Sequence, residues 1–313
     1  MSDGSTKIEL NAVVVAVSGN EPQILIGPQH DLPSGPFESN HRTLEQGLRA
    51  WAEAKGGQPL GYVEQLYTFA DRDRAAGNRR HVSIGYLALV RADARAHMKE
   101  GRAAATSEGG AWSDWYRHFP WEDHRKGAPA VIAATIMPGL MKWKAAATSA
   151  AAKKERAARI EIAFPKNMKQ WNEEFVLQRY ELLWEAGLVD EAAKKKSGIS
   201  PNGKLGVAMA HDHRRILATA MARLRAKIKY RPVVFELMPD AFTLLQLQST
   251  VEALAGLKLH KQNFRRLVEA QGLVEETGKM TRGASGRPAK LFAFRREILD
   301  TRAASGTKLP RTS

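Results

Sequence analysis

The chain has 313 residues, 43% hydrophobic and 26% charged, with 48 Lys and Arg against 33 Asp and Glu for a formal net charge of +15. That length suits two domains, each able to bury its own core, and the absence of Cys excludes disulfides, thiolate zinc sites and cysteine nucleophiles. The charge calls for a polyanionic partner, nucleic acid before an anionic membrane, because the best Lys-rich segment is mostly Ala and offers no bulky apolar face to lipid. No apolar run approaches the roughly 20 residues that cross a bilayer, and MSDGSTKIEL lacks the pattern of a secretory signal. A cytoplasmic protein is expected.

Residues 7–28, KIELNAVVVAVSGNEPQILIGP, predict two strands joined by a turn at Ser18–Pro22, since they are β-branched and apolar and broken by Gly-Asn and Pro. Tyr62–Phe69 and His81–Val90 predict two more, on either side of the polar loop DRDRAAGNRR. The aromatic run WSDWYRHFPW, Trp112–Trp121, is better suited to filling a core than to forming a ligand platform. Residues 143–159 are Ala-rich and basic, a helix or a mobile arm, and RIEIAFP after them alternates like a strand. NEEFVLQRYELLWEAG predicts a helix capped by Asn172 and ended by Gly187, with Phe175, Val176, Tyr180, Leu183 and Trp184 on its core face. Lys194–Gly206 is the best linker, His211–Ile228 a long amphipathic helix, and Pro232 a break. No internal repeat is visible. We place the domain boundary within Arg231–Asp240, giving domains 1–230 and 231–313.

The stretch LPSGPFESNHRTLEQGLRAWAEAKGG spaces Gly35, five residues, His41, seven residues, then Arg49-Ala50-Trp51-x-Glu53-Ala54-x-Gly56-Gly57. It resembles the Nudix box, G-x5-E-x7-R-E-U-x-E-E-x-G-U with U aliphatic, whose glutamates hold the divalent metals that polarise a pyrophosphate. Gly35, Arg49, Glu53 and Gly56 match; His41, Ala50 and Ala54 stand at carboxylate positions, and Gly57 replaces the last aliphatic residue. Carboxylates at i, i+3 and i+4 present oxygens to Mg²⁺ from one helical face, and here that set keeps Glu53 alone. One carboxylate neither fixes a metal nor activates a water. The plainer alternative is an amphipathic helix and nothing more.

The chain after the box, YVEQLYTFADRDR…VSIGYLALV, and again MAHDHRRILATAMARLRAKIKYRPVVFELMPDAFTLLQLQ onward to about Phe294, is similar to the Nudix-related transcriptional regulators of NAD metabolism, the NrtR-like proteins. It is most similar to their enlarged NadQ-type members. That resemblance covers about two-thirds of the chain and implies an α+β fold: an N-terminal Nudix-like α/β/α sandwich with a mixed sheet, an insertion at about 126–206, and a C-terminal winged helix-turn-helix. By the same resemblance Gly35, Arg49 and Glu53 are candidate nucleotide-binding residues, with no catalytic or metal-binding set.

The C-terminal segment supports this independently. Thr243 suits an N-cap for LLQLQSTVEALAG and Gly256 a C-cap. HKQNFRRLVEAQG turns Phe264, Leu267 and Val268 to one face and leaves a basic front, as major-groove reading requires. LVEET and KLFAF pair around GKMTRGASGRPA as a wing. From Lys258 to Arg296 ten Lys and Arg stand against three Glu. Gln262, Asn263, Arg265 and Arg266 are candidates for bases, because Arg reads G and Asn or Gln reads A; Lys261, Arg282, Arg287 and Lys290 suit phosphates or the minor groove. His260 stands where relatives carry an Asp cap. His211-Asp212-His213 mimics metal spacing, but histidines at i and i+2 do not share a helical face.

The expected function is a homodimeric DNA-binding repressor that reads a palindromic operator near NAD biosynthesis genes. It requires no cofactor and senses NAD, ADP-ribose or ATP. The alternatives are an active nucleotide pyrophosphohydrolase and a basic RNA-binding protein.

Overall fold

A computed structural model describes residues 6–56, 60–70, 81–91, 110–192, 203–281 and 288–297. Strand β1, Lys7–Ser18, pairs antiparallel with β2, Glu21–Ile26, through the turn at Gly19-Asn20. At its other end β1 pairs antiparallel with the short β3, Ser34–Pro36, and parallel with β5, His81–Leu89. With β4, Val63–Phe69, and β6, Ala111–Asp114, the sheet runs β4-β5-β1-β2-β6, with β3 beside β1. The polar loop at 71–80 and most of the linker at 194–206 lie outside the described residues.

Alternation along β1 decides what covers each face. Leu10, Ala12, Val14 and Ala16, with Ile84, Tyr86 and Ala88 of β5, form one apolar cluster with Leu48 and Ala52 of α1, Leu44–Gly56. Val13, Val15, Val17, Leu87 and Leu89 point the other way, into a larger cluster with Ile216, Leu217, Ala220, Met221 and Leu224 of α5, His213–Tyr230. This is the expected α/β/α sandwich. Trp115, Phe119 and Trp121 are completely buried in the larger cluster, so the aromatic run fills the core.

Among the described residues the longer helices between β6 and α5 are α2, Met137–Ala145; α3, Ala150–Ala163; and α4, Val176–Glu185. The expected strand at RIEIAFP is instead the last turn of α3. Ser149 caps that helix, and its Ala run carries helical propensity straight through Arg159. Ile160, Ala163 and Phe164 are buried while Ile162 is 61% exposed, which is a helical spacing rather than an alternating one. Helix α4 begins later than its sequence suggests. The Asn172 side chain accepts from Glu174 N–H in the preceding turn, and Trp184 lies at the rim, 37% exposed.

The C-terminal domain has α6, Leu244–Ala255, α7, Lys261–Gln271, and a hairpin of β7, Val274–Met280, with β8, Lys290–Phe294. Thr243 and Gln246 form a reciprocal capping box, and Gly256 ends α6 in the left-handed conformation. Gly256 is obligatory on a second count, because a Cβ there would stand 2.3 Å from the Glu122 carbonyl oxygen. The two domains therefore meet at close range, and buried side chains continue from the sheet into Phe242, Leu247, Phe264 and Val268.

At that junction lies a fully buried ion cluster. Glu122 Oε1 accepts from Arg179 Nε of α4 at 2.6 Å and Oε2 from Arg179 Nη2 at 2.8 Å; Arg225 Nη1 of α5 also donates to Oε2 at 2.6 Å. Arg225 Nε then donates to the Leu254 carbonyl at 2.9 Å, and the Tyr116 hydroxyl to the Ala253 carbonyl at 2.6 Å. Both carbonyls belong to the last turn of α6, whose dipole favours a cation there. Burial pushes the Glu122 carboxyl up, but Arg179 and Arg225 outweigh it and hold the group below the usual carboxylate range.

Removing the carboxylate strands two buried guanidinium groups, so Glu122→Gln is expected to lower stability by about 3–5 kcal/mol. Tyr116→Phe, which removes one hydrogen bond, should cost about 1 kcal/mol. Because the folded-state value is depressed, Glu122 contributes stability above its unfolded value, near 4.5, and that contribution is lost as pH falls toward the folded value. Urea unfolding between pH 3 and 7 tests both points; a Glu122→Gln loss under 1 kcal/mol contradicts them.

Candidate nucleotide and nucleic-acid sites

The box residues are engaged locally. Gly35 faces α1, where a Cβ would collide with the Trp51 indole at 2.8 Å. Arg49 Nε donates to Glu45 at 3.0 Å, its Nη1 to the Leu60 carbonyl at 2.8 Å and its Nη2 to the Gly61 carbonyl at 3.2 Å. Glu53 Oε1 accepts from Leu60 N–H at 3.0 Å. Arg49 and Glu53 thus clasp the chain that leaves the box, and Gly61 N–H continues the clasp to the Leu89 carbonyl at the end of β5. His41 Nδ1 accepts from Glu38 N–H at 3.1 Å, which fixes the turn before α1. Among the described residues, no group of three or more His, Asp or Glu is placed to hold a metal ion.

The apolar cluster under α1 occupies the box-helix side of the sheet. The unusual chemistry is on the opposite side, and sequence periodicity hid it among apolar strands. Asn11 of β1 and Ser83 of β5 are completely buried, and neither Asn11 Oδ1 nor Ser83 Oγ has a hydrogen-bond partner. Buried polar atoms without partners are rare, and each calls for an explanation. Register places Ser34 of β3 beside Asn11, and Glu9 and Phe69 on either side of Ser83. Glu9 Oε2 lies 3.0 Å from His81 Nε2. Tyr67, 62% exposed, packs edge-on against Phe69 with ring centroids 5.3 Å apart. This gives a polar floor with an exposed aromatic wall.

His213 is not a metal ligand in this arrangement. It is buried at the start of α5, where its Nδ1 accepts from Leu32 N–H at 2.8 Å.

In the C-terminal domain, α7 rests on Phe264 and Val268 alone. Lys261, Gln262, Asn263, Arg265 and Arg266 are all exposed. Leu267, expected in the core, is 55% exposed, because so narrow a seam leaves the i+3 position at the edge. The turn before α7 is held by a residue that sequence reasoning missed. Glu252, buried in α6, accepts from Gln248 Nε2 at 2.9 Å, Leu259 N–H at 3.0 Å and Lys258 Nζ at 2.6 Å. Burial raises its carboxyl, but those three donors hold it below the ordinary range. His260 occupies the N-cap of α7 without a side-chain cap. Lys290 is paired with Glu276 across the hairpin at 2.8 Å, while Arg282 and Arg287 lie outside the described residues.

The winged hairpin is joined to the helices by reciprocal backbone hydrogen bonds between Phe242 and Phe292 and by Phe235 stacked on Phe294, centroids 4.2 Å apart. The family model of the NrtR DNA-binding winged helix domain matches residues 234–294. Over 86 residues the chain is 42% identical to the ADPR responsive transcriptional repressor NtrR of Acinetobacter baylyi. That match covers 28% of this chain, which spans about a third, 34%, of the relative. Shewanella oneidensis NrtR complexed with a 27mer DNA aligns with a TM-score of 0.56 and 19% identity, covering 94% of this chain and 95% of its own. A MutT/nudix family protein from Enterococcus faecalis aligns with a TM-score of 0.53 and 14% identity over 94% of this chain and 90% of its own. Residues 234–294 thus match the NrtR DNA-binding winged helix domain, and the chain as a whole shares the fold of the S. oneidensis NrtR structure.

Proposed function

We propose that the chain is a DNA-binding transcriptional repressor of NAD biosynthesis genes whose Nudix-like domain senses a nucleotide, ADP-ribose before NAD or ATP. The observation that carries the DNA-binding part is the exposed polar and basic face of α7 within a winged helix domain of the NrtR type. The relative from A. baylyi is named for its response to ADPR, and S. oneidensis NrtR was crystallised with DNA, which supports the same pairing of effector and partner. A homodimer on a palindromic operator follows from how such helices read half-sites. The domain boundary is proposed at 230/231, where α5 ends and the short helix Val233–Leu237 begins.

The sensor is proposed not to hydrolyse its ligand. Ala50 and Ala54 supply no metal ligand, and Glu53 is engaged with the Leu60 backbone. Nucleotide is proposed to dock beside the exposed Tyr67, a flat ring against it, and to reach the buried Asn11 and Ser83 with its polar edge by moving α5 off this face of the sheet. Gly35, Arg49 and Glu53 then act by fixing the box loop rather than by ligating metal.

For the sensor, Asn11→Val is expected to leave the free protein as stable as wild type or more so, since it removes a buried amide whose Oδ1 has no partner and whose Nδ2 makes only a long, 3.5 Å bond to the Glu9 carbonyl. It should abolish the rise in melting temperature produced by millimolar ADP-ribose. A full ligand-induced rise in Asn11→Val contradicts this placement.

For the reading helix, a duplex selected by the full chain from a random-sequence pool serves as operator. Arg265→Ala or Arg266→Ala is expected to cost about 1–3 kcal/mol on that duplex and much less on scrambled DNA. Lys261→Ala should weaken both alike and lower the salt slope by about one. Fluorescence anisotropy at several salt concentrations distinguishes these patterns; equal losses on both duplexes from the arginine variants would show that α7 does not read bases.

A further inference from the structure

Residues 126–170 hold nine Lys and Arg against two Glu, as large an excess of positive charge as the segment Lys258–Arg296. The arginines of this region have structural partners: Arg156 lies over the Trp143 ring and donates to its carbonyl, and Arg159 pairs with Glu185. The lysines differ. Lys126, Lys166 and Lys169 are exposed, and none forms an ion pair with a described carboxylate. A run of lysines is ordinarily a solvated face, so location decides.

Each of these three stands two residues from a member of a packed chain of side chains that ends on the turn between α6 and α7. His124 N–H donates to the Gly256 carbonyl at 2.7 Å, which places Lys126 two residues from a direct contact with that turn. The His124 ring packs on Trp171 with centroids 4.1 Å apart, and Trp171 packs in turn on Phe164 at 6.3 Å. Lys169 is two residues before Trp171, and Lys166 two residues after Phe164. Lys258, two residues past Gly256, is exposed on the same turn. Four cations from three separate segments thus flank residues packed at or next to the helix-turn-helix corner, and three of them come from the part of the chain before residue 231. In this class of domain the helix before the reading helix crosses the DNA backbone, which brings the corner alongside phosphates.

We propose that Lys126, Lys166 and Lys169 form a second phosphate-contacting surface, through which the segment between β6 and α5 grips duplex DNA beside the stretch read by α7. The proposal rests on the DNA-binding function proposed above. It commits to double-stranded DNA, because three point charges spaced along a helix-turn-helix corner complement a regular row of phosphates, and the surface offers no aromatic platform for unstacked bases.

The test uses the full chain and a 40-base-pair random-sequence duplex, with affinity followed from 50 to 300 mM salt. Each lost phosphate contact lowers the slope of log affinity against log salt by about 0.9. The triple variant Lys126→Gln, Lys166→Gln, Lys169→Gln is expected to lower that slope by about 2–3 and to keep its ratio of affinity for selected over scrambled duplex. A control triple, Lys142→Gln, Lys144→Gln, Lys153→Gln, removes the same charge from the far end of the α2–α3 hairpin. It stands about 15 Å along α3 from Ala163 and should change the slope by less than one. Five of the six lysines are exposed and Lys144 is half-buried, so matching melting temperatures of both triples and the wild type are required as a check on folding. An unchanged slope in the first triple, or equal loss in both, overturns the proposal. A structured RNA hairpin that binds more tightly than the duplex and depends on the same three lysines overturns the choice of DNA. If the wild-type chain binds no duplex, the DNA-binding function itself fails; if it binds and only the slope test fails, α7 reads DNA without help from this surface.

Discussion

One carboxylate joins the two halves of the molecule. Glu122 neutralises Arg179 and Arg225 where none of the three reaches water, and Arg225 carries the connection to the Leu254 carbonyl at the end of α6. Buried charges are costly unless paired and fully hydrogen-bonded. Here each guanidinium has that satisfaction: Arg179 also donates to the Asn172 carbonyl and Arg225 to that of Glu173. The geometry admits few alternatives, because rotating α6 away would strip Arg225 Nε of the Leu254 carbonyl and the Tyr116 hydroxyl of the Ala253 carbonyl. The orientation of α6 and α7 to the sheet is therefore set by polar interactions with strict geometry, whereas apolar contact alone permits sliding.

The same junction explains how events on the sheet can reach the reading helix. The polar floor of Asn11 and Ser83 lies under α5, where Ile216 would be 3.2 Å from a Cβ at Gly85. Nine residues, about two and a half turns, further along α5 stands Arg225. A ligand that moves α5 against the sheet moves the donor on which the end of α6 depends. From the other side of the sheet, Arg49 and Glu53 hold Leu60 and Gly61 against Leu89, and two residues beyond Leu89 Arg91 pairs with Asp240 at 2.7 Å, at the entrance to the winged helix domain. Arg49 and Glu53 are thus tied by backbone contacts to the strand end that leads to Arg91 and Asp240.

Much of this was legible in the sequence. β-Branched apolar runs broken by Gly-Asn and Pro revealed the central strands of the sheet, and Thr243 and Gly256 bounded α6. The failures were those of local pattern facing tertiary context. RIEIA alternates over too short a span to outweigh the Ala helix that runs into it, and Leu267 was assigned inward because a helix seam is usually wider than the pair Phe264 and Val268. Asn11 and Ser83 sit within apolar strands, and only the register of β1 with β5 brings them together. Glu122, Arg179 and Arg225 are separated by up to about a hundred residues, and each alone looks like an ordinary surface charge. Buried ion clusters assembled from distant segments leave no periodic signal.

The account stands or falls on coupling between the two domains, and coupling is reciprocal by thermodynamic necessity. The most direct test is a calorimetric titration of the full chain with ADP-ribose, alone and saturated with its selected duplex. ADP-ribose affinity is predicted to change on DNA by the same factor, about 5- to 150-fold, by which ADP-ribose changes DNA affinity. ADP-ribose affinity that is identical with and without duplex would contradict it.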